Sequence, residues 1–266
     1  PAGGDGQHHG GVMLRCALVL AVLAAPALAG EIPPGERRSD VVMMSPELRA
    51  MQADDTANPA SLTVLDGEAM WRTRAGTSGK SCGDCHGDGA QSMRGVAARY
   101  PAYDAASSRT LDLEAKINQC RTERQAAPAM PMESRDLLSL STYVGRQSRG
   151  MPIVFDDPRL APAIEKGRQL FNVRQGQLNL SCAICHDDNW GRKLGAATVP
   201  QAHPNAYPIY RLEWQSVGSL QRRLRNCMVG MRAEPYAAGS DEFIAIEAFL
   251  MSRARGLTME TPGVRP

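Results

Sequence analysis

"CGDCH" at residues 82–86 and "CAICH" at residues 182–186 decide the fold of this 266-residue chain. Each sets two thiols three positions apart and a histidine directly after them. That is the spacing at which haem c is held by two thioethers while the histidine turns back as proximal iron ligand. One such motif could equally be a redox dithiol or half of a zinc site. Two of them in an exported chain read as covalent haem, since only His203 would remain to complete a zinc cluster. Export is read from "MLRCALVLAVLAAPALAG" (13–30), with the charge of Arg15, an apolar run from Cys16 to Ala25 and Ala27-Leu28-Ala29 as a small-x-small cleavage site. Cleavage is expected after Ala29, and residues 1–12 read as translated upstream sequence. A retained anchor is the alternative, but the apolar run is short for a bilayer span. The expected mature protein is periplasmic, with no membrane span.

The two motifs belong to a duplication. Gly67, Met70, Trp71, Cys82, Cys85 and His86 recur as Gly167, Leu170, Phe171, Cys182, Cys185 and His186, each displaced by 100 positions. Past the motifs the offset becomes 107: "YPAY" (100–103) answers "YPIY" (207–210), and "LEAKINQC" (113–120) answers "LQRRLRNC" (220–227). "DGEAMW" and "EKGRQLF" read as helices whose glycine shares a face with an aromatic four residues on, where a second helix could cross closely. "LLSLSTYV" and "FIAIEAFL" read as the closing helix of each half. Helix, haem motif, loop, helix and closing helix is an order that resembles a class I cytochrome c domain twice over. The expected fold is all-α, with two tandem cytochrome c-like domains at 61–150 and 151–266. Before them come a segment removed on export, 1–29, and an N-terminal arm, 30–60. The boundary is read in "SRGMPIVFDDPRL" (148–160), where proline and glycine break both periodicities.

With Cys16 removed, six cysteines remain, and two are outside the motifs. Cys120 and Cys227 occupy the same place in each half, where a distal iron ligand could sit. The favoured reading is one thiolate per haem, which would lower the iron's potential. Two alternatives stay open: methionine, of which the chain has several, and a disulfide joining Cys120 to Cys227, if the two lay within bonding distance. The cations differ between the halves. Lys116 precedes Cys120 by four residues and Arg223 precedes Cys227 by four, so each shares a helical face with its cysteine. A guanidinium there would favour the thiolate and could grip an anion at two points. Arg222, Arg225 and Arg232 thicken the positive run, although a solvated charged face is the ordinary meaning of such a run. The net charge of +2 argues against nucleic acid as a partner.

"CAICHDDNWGRKLG", "HPNAYPIYRLEWQSVGSLQRRLRNCMVGMRAEP" and "EFIAIEAFL" together resemble the A subunits of the Sox thiosulfate-oxidising system, dihaem cytochromes c. The resemblance covers the mature chain and is densest from 160 to 255. It implies an L-cysteine S-thiosulfotransferase that pairs with a small monohaem cytochrome c subunit and joins thiosulfate oxidatively to a cysteine of a sulfur-carrier protein. Two electrons leave to a downstream cytochrome c. It also implies that Cys182 and Cys185 hold a catalytic haem whose iron lies between His186 and Cys227, with Cys227, which can carry a persulfide, and Arg223 as catalytic residues. Cys82 and Cys85 would hold a first haem, its iron between His86 and Cys120. A plain dihaem electron carrier is the main rival, since haem attachment alone fits it equally. A haem sensor or peroxidase would need an open iron, and a purely structural module would leave both haems idle.

Overall fold

The structure, a computed structural model, describes residues 1–4 and 32–266, so the export signal read at 13–29 lies outside the described residues. After two 3₁₀ turns, Pro34–Glu36 and Asp40–Met43, come α1 (Pro46–Ala53), α2 (Ser61–Arg72), α3 (Cys82–His86) and α4 (Gly89–Ser92). Next is a hairpin of β1 (Ala102–Asp104) and β2 (Arg109–Leu111), then α5 (Leu113–Arg124) and α6 (Arg135–Arg146). The second half runs α7 (Ala161–Asn172), α8 (Cys182–His186), a small hairpin of β3 (Lys193–Leu194) and β4 (Ala197–Thr198), then β5 (Ile209–Arg211) and β6 (Ser216–Gly218). It closes with α9 (Leu220–Gly230), α10 (Asp241–Arg253) and β7 (Gly263–Arg265). Among the described residues no helix is long and apolar enough to cross a membrane.

Each half is built on a pair of crossing helices, α2 with α6 and α7 with α10. The glycines on the first helix of each pair make the crossings possible. A Cβ on Gly67 would lie 2.1 Å from the Ser139 carbonyl oxygen, and one on Gly167 would lie 1.9 Å from that of Ala245. Side chains cannot occupy such gaps, so the spacing of glycine and aromatic in the sequence marks a backbone-to-backbone approach. The aromatics then pack against the closing helices, Trp71 on Tyr143 at 5.7 Å between centroids and Phe171 on Phe249 at 5.3 Å. Serines cap the closing helices: Ser134 accepts from Leu137 N and Ser240 from Phe243 N, each cap contributing about 1 kcal/mol.

The all-α expectation needs correction, because the connection after each haem motif folds back as a short antiparallel ribbon. β1 pairs with β2 through Asp104↔Arg109, and β5 with β6 through Arg211↔Ser216, the same register shifted by 107. The reason lies in the turns: Ser108 and Gln215, also 107 apart, both take the left-handed conformation, with φ of 55° and 51°. β7 adds to β5 in parallel, bringing the end of the chain into the second half's sheet. The halves meet in a shared apolar core in which Ala97 and Ala98 pack with Ile153, Phe155, Met251 and Met259. A buried polar contact crosses the same seam, Gln221 Nε2 donating to Asp112 Oδ2 at 2.7 Å.

Candidate haem and sulfur site

Both haem motifs form single-turn helices held open by a serine cap. Ser181 Oγ accepts from Ile184 N, and Ser81 makes a reciprocal box with Asp84, giving and receiving one hydrogen bond. In such a turn the two cysteines, three residues apart, share a face and the histidine follows the second directly, the order that haem attachment requires. Phe171 lies 6.4 Å from the His186 ring and Trp71 5.7 Å from the His86 ring, so each imidazole is walled by the aromatic that the duplication keeps.

In the first half the space in front of this end is a cavity of about 520 Å³, lined by Cys82, Cys85, His86 and Cys120 among others. That volume suits a cofactor-sized ligand, and Cys120 on α5 is close enough to Cys82 to act on its ionisation. In the second half His186 Nδ1 donates to the Pro200 carbonyl oxygen at 2.7 Å. The bond fixes the tautomer and leaves Nε2 as the basic nitrogen. The Cys227 thiol lies near enough to this same imidazole for the ring to act on its ionisation. An imidazole nitrogen and a sulfur facing each other, with Cys182 and Cys185 alongside, fit the donor set of a six-coordinate haem c iron.

The electrostatics single out Cys227. Burial pushes its thiol up. The His186 hydrogen bond and the charges of Arg223 and Arg211 outweigh burial and hold it below its ordinary value. Arg223 lies one helical turn before Cys227 on α9, as the i, i+4 spacing predicts, and it stays firmly charged: burial works against it, and Cys227 and Tyr207 outweigh burial. Its side chain makes no ion pair among the described residues. The other cations of the run do not converge on the sulfur: Arg222 lies over the Trp214 ring at 4.3 Å, and Arg225 is exposed.

The six described cysteines are all free, so the alternative of a Cys120–Cys227 disulfide is not realised; Cys120 lines the first half's cavity, and Cys227 is not part of that lining. His203 does not reach an iron site. Its Nδ1 donates to the Arg38 carbonyl oxygen, and burial draws its pKa down to about 4. That bond belongs to a clamp by which the arm grips the loop carrying Pro200. Gln201 Oε1 accepts from Arg38 N at 2.7 Å and Gln201 Nε2 donates to the Glu36 carbonyl at 3.0 Å. Behind His186, Asp187 and Arg253 form a buried ion pair at 2.5 Å, with the guanidinium over the Phe171 ring at 4.7 Å.

Sequence reasoning misses three parts of this site. Pro200 is a backbone acceptor and carries no side-chain signal. The Asp187–Arg253 pair joins residues far apart in the chain. Arg211 sits on a strand rather than on the helix whose register drew attention, yet it stands one residue past "YPIY", within reach of the duplication itself.

Comparison with known proteins agrees with this geometry. The profile of the SoxA/TsdA cytochrome c domain matches residues 66–153 and again 166–259. The L-cysteine S-thiosulfotransferase subunit SoxA of Pseudaminobacter salicylatoxidans is 39% identical over 88% of this chain and 82% of its own length. The subunit of the same name from Rhodovulum sulfidophilum is 36% identical over 86% of this chain and 80% of its own. The crystal structure of SoxXA from P. pantotrophus superposes with a TM-score of 0.83 at 34% identity, covering 86% of each chain. Two matches to a cytochrome c domain imply haem c as the cofactor, and with them this chain belongs to the SoxA/TsdA cytochrome c family.

Proposed function

We propose that the chain is the dihaem subunit of a periplasmic L-cysteine S-thiosulfotransferase, working with a small cytochrome c subunit, and that residues 61–150 and 151–266 are its two haem domains. The observation that carries this reading is the Cys227 thiol, held below its ordinary value by His186 and by Arg223, which makes no ion pair among the described residues. The names of the relatives support it, and so does the likeness to SoxXA, a complex with an X partner.

Cys182 and Cys185 would attach one haem by thioethers, with His186 and Cys227 facing its iron. Cys82 and Cys85 would attach the other, with His86 and Cys120 facing that iron. Haem c bound in these places supplies one-electron acceptors. Joining thiosulfate to the thiol of a sulfur-carrier protein makes one S–S bond and releases one proton and two electrons, so two such acceptors are needed, one of them in the first domain or in the partner cytochrome. The protein's own groups do the rest. Arg223 binds the anion by two parallel N–H donors. Cys227 Sγ, favoured as thiolate, is the sulfur at which the exchange occurs.

The test uses the exported protein with its cytochrome partner, thiosulfate, a sulfur-carrier protein and oxidised cytochrome c as acceptor. Intact mass spectrometry should show two haems on the chain and a thiosulfonate added to the carrier cysteine. Two equivalents of acceptor should be reduced for each bond. An acceptor reduced while the carrier mass stays unchanged would leave only an electron-transfer cytochrome.

A further inference from the structure

Pro200 supplies the acceptor that orients His186, and its two sides are held very unequally. Upstream lies the β3–β4 hairpin, exposed from Gly191 to Ala197 and tied to this segment by Val199 N, which donates to the Arg192 carbonyl at 2.9 Å. Downstream, Gln201 is 1% exposed and held by both ends of its amide. Its Oε1 accepts from Arg38 N at 2.7 Å and its Nε2 donates to the Glu36 carbonyl at 3.0 Å. The side chain thus pairs with the arm as the peptide group of a neighbouring strand would, giving one bond and receiving one. Glutamine offers a donor and an acceptor without carrying charge, which suits a buried site. His203 Nδ1 adds a third bond to the same stretch, donating to the Arg38 carbonyl at 2.9 Å.

On its other flank the segment is fixed by α10. Arg253 Nη2 donates to the Gln201 carbonyl at 3.4 Å and to Asp187 Oδ1 at 2.5 Å. One buried guanidinium therefore ties the residue after Pro200 to the residue after His186. Acceptor and donor of the His186–Pro200 bond are gripped twice, by α10 from within the domain and by the arm from outside it. Nothing in the first half answers this arrangement. The seven added residues lie between His186 and Tyr207, and His86 makes no matching bond among the described residues.

We infer that Gln201 is a positioning residue: through it the arm holds the Pro200 carbonyl against His186 and so sets the donor strength of the imidazole nitrogen that faces the second iron. This rests on His186 as an iron ligand, part of the reading above, and is independent of the transferase step. A hydrogen bond weakens steeply as its angle opens, so a carbonyl that drifts loses hold of Nδ1–H. The intact bond makes Nε2 the better donor, which favours oxidised over reduced iron. Loosening the arm should raise the potential of the second haem and leave the first where it is.

The test compares wild type, Gln201→Met and Gln201→Glu as the haem-loaded complex with its cytochrome partner, by spectroelectrochemical titration and by hydrogen exchange of the arm. The second haem's wave is identified as the one that Cys227→Ala displaces. Gln201→Met keeps length and apolar packing but neither hydrogen bond. Its second wave should rise by about 59 mV, the one-electron equivalent of a tenfold change in the preference for oxidised iron. The first haem's wave should not move, and the Arg38 amide should exchange at least about tenfold faster. Gln201→Glu keeps the acceptor for Arg38 N and loses the donor to Glu36, so its wave should lie between the other two; it also carries the comparison if the methionine variant fails to fold. Faster arm exchange with an unmoved second wave would reduce the arm to a cover and overturn the inference. Equal displacement of both waves would mark general loosening and overturn it too. If Cys227→Ala displaces no wave, the haem assignment above falls and the positioning role falls with it. If it displaces one that Gln201→Met leaves alone, only the positioning role falls.

Discussion

Cys120 and Cys227 share a helix position, a strand register and an aromatic-walled histidine nearby, but their thiols are pushed in opposite directions. Burial raises Cys120 above its ordinary value; Lys116 opposes this, but Asp104 holds Lys116 in an ion pair and itself pushes the thiol up. Burial acts on Cys227 in the same sense and is overcome by His186, Arg223 and Arg211. His186 is also oriented by the Pro200 carbonyl, whereas His86 has no such hydrogen bond among the described residues. Two copies of one scaffold thus differ mainly in where charge is placed. The fold repeats the placement of a sulfur near an imidazole, and the neighbouring charges set which way each thiol's ionisation is pushed.

The largest effect should come from removing the sulfurs one at a time. Cys227→Ala should lower conjugation of thiosulfate by about a thousandfold or more, the usual scale for loss of a reacting nucleophile. Cys120→Ala should keep turnover within about tenfold while altering the spectrum of the first haem. Equal losses in the two variants, measured as carrier conjugated per minute, would erase the distinction between the halves.

The helix crossings should show the opposite pattern, with both halves responding alike. Gly167→Ala and Gly67→Ala each force a methyl into a carbonyl oxygen of the closing helix. Each should cost about 1–3 kcal/mol of stability, read as a lowered thermal midpoint of the holo-protein. A large loss at one glycine and none at the other would show that the scaffolds are not equivalent.

A smaller effect is expected at the seam, where Glu114 stands in the position that Gln221 occupies in the second half. Burial, and then the charge of Asp112, raise the Glu114 carboxyl from 4.5 to about 8. The folded chain therefore keeps a proton that the unfolded chain gives up above 4.5. This contribution to stability is complete below 4.5 and is lost as pH rises through about 8. Asp112, Glu133 and Glu247 face the same space. Wild type should melt at lower temperature at pH 8 than at pH 5, and Glu114→Gln should flatten that slope. Identical slopes would show that the two polar positions are interchangeable.

Much of the architecture is legible in the sequence because duplication repeats it. The glycine and aromatic spacing reports the helix crossings, and each cysteine motif coincides with a single-turn helix. The i, i+4 register of Arg223 and Cys227 survives into the structure because a helix transmits spacing faithfully. The strand ribbons are less visible: three-residue strands give too short a period to read, and their turns rest on the φ angles of Ser108 and Gln215 rather than on glycine. Arg211 was one residue beyond the matched "YPIY", and only pairing it with Asp104 reveals the exchange of a carboxylate for a guanidinium. The seven-residue growth of the offset, from 100 to 107, likewise contains more than spacing. It makes room for the β3–β4 hairpin and the loop whose Pro200 orients His186. The arm's grip on Gln201 and His203 links residues more than 160 positions apart, mostly through backbone atoms, and no local pattern announces it.

The same arm also holds β7. Arg265, next to the last residue, is ion-paired with Asp40, and Val264 N donates to Gln52 Oε1. The arm and β7 therefore share one face, and local unfolding that frees one should release the other, so the edge of the second half's sheet opens together with the arm.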